Sequence, residues 1–166
     1  DAAKTMWVYY EHPGYDFNRL ANFENPPLRT RAKMACIAST SGTASEITAF
    51  SVITDTESKI KYPLVHADFI PDVAIVDPEI PSKMPALITA QTGMDVMTHA
   101  IESYVSTAAD DYTKPHSLRA IELVFDNLKK AYDNGDDLDA REKMHDASTL
   151  AGMAFSNASL GIVHSM

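Results

Sequence analysis

At 166 residues, with 45% hydrophobic and 22% charged content, the chain fits one ordinary globular domain or two pieces of a larger protein. A net charge of −9 argues against nucleic acid and anionic membrane as partners, because both require a basic face. No apolar run approaches the roughly 20 residues that cross a bilayer, no signal peptide opens the chain, and the single Cys36 makes no internal disulfide, which fits a reducing cytoplasm.

The chain begins at Asp1-Ala2-Ala3-Lys4 without an initiator Met and stops at His164-Ser165-Met166, directly after an apolar run. These termini read as those of a fragment of a longer protein. Residues 1 to about 10 are predicted as a helix end, and 12–27, rich in turn formers and aromatics, as loop. A short apolar run over 34–38, with Cys36 as a buried inert thiol, is predicted as a buried strand feeding a polar loop. Residues 48–54 are predicted as another strand, and Val73-Ala74-Ile75-Val76 as a second buried one.

Beyond the connector punctuated by Pro78, Pro81 and Pro85, strand signals vanish. A helix from about Pro85 carries Met94, Met97, Ile101, Tyr104 and Val105 on one apolar stripe. A second runs over about 115–132, with Leu118, Ile121, Phe125, Leu128 and Tyr132 at helical spacing before Asn134-Gly135. A third covers about 138–155 and ends rich in small residues, which suit close packing, and Gly161 is predicted to break the chain after it. The expected fold class is therefore an α/β N-terminal piece followed by an all-α helical piece, with the change near residue 80.

Two stretches carry candidate chemistry. Ser39-Thr40-Ser41-Gly42-Thr43-Ala44-Ser45-Glu46 gathers hydroxyls around one glycine directly after a predicted strand. Ligands of open α/β sheets bind beyond such strand ends, where hydroxyls and free backbone N–H groups can cradle a diphosphate. A solvated Ser/Thr turn has the same composition, and the loop is neither a Walker loop nor a GxGxxG. Lys61 could add a positive charge, or stand simply as surface lysine.

In the second stretch, Asp95 and His99 stand one helical turn apart, so both project from the same side of the helix, away from its apolar stripe. A helix built this way is expected to be buried on both sides. A divalent cation is one partner that satisfies a carboxylate and a neutral imidazole together. The same spacing also arises by chance, so the pair alone leaves both readings open. Glu102 reads as supporting or structural rather than a ligand, and Met94 and Met97 read as core.

Four blocks, in order, carry a resemblance: Ser39-Thr40-Ser41-Gly42-Thr43-Ala44-Ser45-Glu46; Pro71-Asp72-Val73-Ala74-Ile75-Val76-Asp77; Thr92 through Glu102; and Phe155 through Met166. Together they resemble the iron-containing alcohol dehydrogenases, most closely the butanol-dehydrogenase-like members, over essentially the whole chain. The resemblance implies a dehydroquinate synthase-like architecture. Residues 1–80 would be the C-terminal part of a Rossmann-like dinucleotide-binding domain, and 81–166 the N-terminal part of a helical metal-binding domain. It implies a divalent metal, Fe(II) with Zn(II) possible, held by Asp95, His99 and His164, with the family's last ligand and its proton-relay histidine lying beyond Met166. Asp1 and Lys4 resemble the tail of the family's glycine-rich loop. Asp1, Ser39, Thr40, Thr43, Val52 and Lys61 occupy positions that line the NAD or NADP site in relatives, and Phe50 stands where some relatives carry Asn.

The implied activity is hydride transfer between NAD(P) and a short primary alcohol or aldehyde, in a homo-oligomer. A glycerol-dehydrogenase or dehydroquinate-synthase relative shares the architecture. An inactive fragment is the non-enzymatic alternative.

Overall fold

The structure, a computed structural model, describes residues 1–165. Met166, which closes both the last sequence block and the second expected segment, lies outside the described residues. The N-terminal part is α/β: helices α1 (Ala2–Glu11) and α2 (Phe17–Ala21), then strands β1 (Ala35–Ile37), β2 (Phe50–Thr54), β3 (Lys61–Val65) and β4 (Val73–Ile75). The C-terminal part is helical, with α3 (Ala86–Val105), α4 (Thr113–Asp133), α5 (Leu138–Ala158) and the short α6 (Ile162–Ser165). Strands β1 and β4 pair in parallel, Ala35 opposite Val73, while β2 and β3 form an antiparallel hairpin with Val52 opposite Pro63. Among the described residues no helix is long and apolar enough to cross a membrane.

Each part has its own core. Trp7, Val8, Leu20, Leu28, Leu64 and Phe69 form one cluster, and Val96, Met97, Ala100, Leu123, Val124 and Met144 belong to the other. Helix α1 is laced to β2 by polar contacts. The fully buried Lys4 ammonium donates to the Thr48 and Phe50 carbonyls at 2.6 and 2.9 Å, and Ser51 Oγ donates to the Asp1 carbonyl at 2.8 Å. Burial pushes Lys4 down to about 8.

Residues 41–47 join the two parts. A β-carbon on Gly42 would come within 2.7 Å of Thr92 Cβ on α3, and one on Gly152 of α5 within 2.4 Å of Ala44 Cβ. Ser41 Oγ and His145 Nδ1 lie 2.9 Å apart, and Thr149 Oγ1 donates to Glu46 Oε1 at 3.2 Å. The small residues near the end of α5 thus let the loop approach the helix backbone.

The helices and strands expected near 1–10, 34–38, 48–54, 73–76, 85–105, 115–132 and 138–155 are all present, but several expectations need correction. Strands β1 and β4 are not buried: Ile37, Val73 and Ile75 are all exposed. Two parallel strands alone have no layer over either face. Cys36 is half-buried for the same reason. The region 12–27 is not all loop, since Asp16 accepts from Asn18 N at 2.9 Å and starts α2. Strand β3 was not foreseen. Its Pro63 argues against a central strand, and β3 pairs on one side only, where proline is tolerated.

The apolar stripe of α3 is turned mostly outward, and that of α4 is split, with Ile121 and Leu128 packed against the core. Met94, Ile101, Tyr104 and Val105 are exposed, as are Leu118, Phe125 and Tyr132, and only Met97 of the α3 set is buried. The buried side of α3 is instead small and polar: Thr89, Gly93, Val96, Met97, His99, Ala100, Glu102 and Ser103. Small residues let α3 approach α4 and α5 closely; a β-carbon on Gly93 would lie 2.3 Å from Leu128 Cδ1. Helix α3 is therefore not buried on both sides. Its Asp/His side faces inward, and Met94 lies in an open apolar groove with Phe125, Leu128 and Tyr132 rather than in the core.

Candidate functional site

Asp95 and His99 project from successive turns of α3, and His164 reaches them from α6. One ligand atom from each of the three lies within 4.8 Å of the others. The Nε2 atoms of His99 and His164 are 3.8 and 3.5 Å from Asp95 Oδ1. With metal–ligand bonds of about 2.0–2.2 Å, two ligands of one ion sit a little over 3 Å apart, so the two distances to Asp95 are within a few tenths of an ångström of that spacing. The two imidazole rings stack, with centroids 4.4 Å apart and planes 18° from parallel.

The protonation states suit a cation. Burial pushes the His99 imidazole below its ordinary value, and the neighbouring His164 adds to this against the pull of Asp95, so His99 favours the neutral form that ligates. The His164 Nδ1–H donates to Glu102 Oε2 at 2.5 Å, because a carboxylate can only accept. In the neutral ring, this bond leaves the lone pair on Nε2. Burial alone would raise the Glu102 carboxyl, but hydrogen bonds from His164 and from the backbone of Gly161 and Val163 hold it below its usual value. The donor set of one carboxylate and two imidazoles fits Fe(II) and equally accepts Zn(II).

Phe155 of α5 packs on His99 at 4.5 Å between centroids and reaches Phe50 of β2 at 6.2 Å. The two phenyl rings give the candidate ligands an apolar flank on the side of the hairpin. Phe50 thus faces Phe155.

A cavity of about 370 Å³ opens at the carboxyl end of β1, lined by Asp1, Cys36, Ser39, Thr40, Thr43 and Glu46 among others. It collects four of the expected cofactor residues, Asp1, Ser39, Thr40 and Thr43. Val52 and Lys61 lie on the β2–β3 hairpin, outside that lining. The loop divides its labour. Ser39, Thr40 and Thr43 face the cavity, whereas Ser41 and Gly42 turn to His145 and Thr92 in the helical part.

The sequence reading of Glu102 as supporting or structural leaves out its grip on the His164 segment, which needs the tertiary fold. Two contributors escaped sequence reasoning. Phe155 stood at the head of a motif block with nothing to mark its ring as the neighbour of His99. His145 lies among small residues on α5 and carried no signal for a partner more than a hundred positions away.

The sequence pattern of the iron-containing alcohol dehydrogenases matches residues 1–78, and that of the Fe-containing alcohol dehydrogenase family, C-terminal, matches residues 89–166. The chain is 54% identical over 167 residues to an NADPH-dependent butanol dehydrogenase of Clostridium saccharobutylicum, covering 100% of this chain and 42% of that protein. It superposes on a crystal structure of 1,3-propanediol oxidoreductase with a TM-score of 0.88 at 42% identity, over 98% of this chain and 42% of that one. The sulfoacetaldehyde reductase of Bifidobacterium kashiwanohense in complex with NAD+ gives a TM-score of 0.90 at 33% identity, over 98% of this chain and 43% of that one. The chain thus spans less than half the length of each of these relatives. Its two pattern matches and these similarities have one meaning: the chain belongs to the iron-containing alcohol dehydrogenase family.

Proposed function

We propose that these residues form the centre of a metal- and NAD(P)-dependent alcohol dehydrogenase acting on short primary alcohols and their aldehydes. Asp95, His99 and His164 would hold a divalent cation, Fe(II) with Zn(II) as its competitor. Asp1, Ser39, Thr40, Thr43, Val52 and Lys61 would border the dinucleotide, with residues 1–80 contributing to its domain and 81–166 to the metal-binding domain. The observation that carries this reading is the convergence of three ligand atoms from α3 and α6 within 4.8 Å. Support for the cofactor comes from the NADPH-dependent relative and from the NAD+ complex of the reductase.

The reaction moves a hydride from the alcohol carbon to the oxidised nicotinamide ring and releases the hydroxyl proton, leaving the aldehyde. A bound divalent cation supplies Lewis acidity, which makes a hydroxyl more acidic and a carbonyl more electrophilic. The chain's residues do the rest. Asp95 contributes the negative charge that a cation needs in a partly buried place. Phe155 shields His99 from water on one side. The hydroxyls of Ser39, Thr40 and Thr43 offer hydrogen bonds to a polar ligand in the cavity. Docking of Gly42 on Thr92 keeps that loop beside the metal helix.

The test is turnover of butanal with NADPH by the full chain, followed at the nicotinamide absorbance, after chelation and after anaerobic return of Fe(II). Loss on chelation and recovery with Fe(II) are expected, with His99→Ala and Asp95→Asn inactive under both conditions. Undiminished turnover in the chelated protein, or in either variant, would overturn the reading.

A further inference from the structure

Resting on the metal reading above, we propose that Glu102 is a positioning residue that fixes both the tautomer and the place of His164. Helix α6 has only four residues and none of them is buried, so neither helix propensity nor apolar packing holds it. The α3 carboxylate supplies what is missing. Glu102 Oε1 accepts the Val163 N–H at 2.7 Å, and Oε2 accepts the His164 Nδ1–H at 2.5 Å. With both oxygens used, one side chain anchors the backbone of the segment and the ring it carries. In a neutral ring, the form that ligates, donation from Nδ1 leaves the lone pair on Nε2, the atom that lies 3.5 Å from Asp95 Oδ1.

The chain also makes room for this clasp. A β-carbon on Gly161 would fall 2.9 Å from Glu102 Oε1, so a side chain at residue 161 would press on the carboxylate where it accepts the Val163 N–H. Glu102 is itself 7% exposed, held between α3 and the chain crossing above it. One helix therefore supplies two of the three metal-binding side chains and the clamp that presents the third.

The experiment is a Zn(II) competition titration against a chromogenic chelator, on the full chain as wild type, Glu102→Gln, His164→Ala and the double variant. In Glu102→Gln an NH2 donor replaces one of the two accepting oxygens and faces an N–H group, so the variant should weaken Zn(II) binding by about 10–100-fold. That loss should vanish in the His164→Ala background, because Glu102 acts through His164. Gly161→Ala, which displaces the carboxylate without changing it, should weaken binding in the same direction. Undiminished Zn(II) affinity in Glu102→Gln, or an equal loss with and without His164, would overturn the proposal.

A second measurement needs no variant. The ¹⁵N shifts of His164 in the metal-free wild type should report a protonated Nδ1 and a bare Nε2, and the opposite tautomer would refute the clasp. Failure of wild type to take up Zn(II) at all would instead remove the metal reading, while the tautomer measurement still judges the contact with Glu102.

Discussion

Gly42 lies so close to Thr92 that a β-carbon on it would stand 2.7 Å from Thr92 Cβ. The contact joins the hydroxyl-rich loop to the helix that carries Asp95 and His99. A Cβ on a helix cannot swing aside, so Gly42→Ala must move backbone. We expect a cost of about 1–3 kcal/mol in stability and a weaker hold on NADPH. Chemical denaturation and fluorescence titration of NADPH check this, and wild-type values in both would contradict it.

Gly93 and Gly152 separate two kinds of tight packing. An added β-carbon at Gly93 meets the end of the Leu128 side chain, whereas at Gly152 it meets Ala44 Cβ at 2.4 Å. Both substitutions gain about 1 kcal/mol of helix propensity. Leu128 can change rotamer, but Ala44 is fixed to a backbone with φ of 51°. Gly152→Ala should therefore be clearly the more destabilising in urea denaturation. Equal midpoints would show that the loop yields as easily as a leucine tip.

His145 makes a pH prediction with a definite sign. Burial pushes it below its ordinary value of 6.5, against the opposing pull of Glu46, Asp146 and Asp77. As pH falls the unfolded chain takes up the proton first, so the stability from this group is present above about 6.5 and is lost as pH drops toward the folded value. Its Nε2 has no partner among the described residues, so the added N–H would be buried without an acceptor. Thermal unfolding between about pH 7 and 5 should decline less steeply in His145→Gln than in wild type. Parallel curves would exclude His145 as a source of the decline.

Glu11 titrates at the acid end. Its buried carboxylate accepts from Thr30 Oγ1 at 2.5 Å and from the backbone N–H groups of Thr30, Arg31 and Ala32 at 2.7, 3.0 and 2.8 Å. Burial alone would raise its pKa, but these hydrogen bonds take it down to about 2. A depressed carboxyl contributes stability above its unfolded value near 4.5 and loses it as pH falls through the folded value. Glu11→Gln should lower the unfolding midpoint at neutral pH and flatten the fall below about pH 4.5. An unchanged acid limb would refute the assignment.

The long helices were legible because periodicity over many residues is hard to mistake, and the strand preceding the hydroxyl-rich loop was legible from its apolar run. Which side of a helix faces inward was not. Met94 and Met97 both read as core, yet Met94 is exposed while Gly93 and Ala100 face inward, because close helix approach selects small residues over large ones. The Asp95/His99 spacing was readable as one face of a helix, whereas His164 came through family resemblance alone, since nothing local ties it to Asp95 and His99, 69 and 65 positions earlier. The same limit hid the Ser41–His145 contact and the role of Gly161. Local sequence records propensity and spacing, and these contacts are made by the fold.

The central claim is that Asp95, His99 and His164 surround one divalent cation. Anomalous diffraction at the iron edge, from crystals of the full chain grown anaerobically with Fe(II), tests it most directly. The expected result is a single peak bordered by the Asp95 carboxylate and the Nε2 atoms of both histidines, absent in His99→Ala. A peak elsewhere, or none at this place with iron in the crystal, would contradict it.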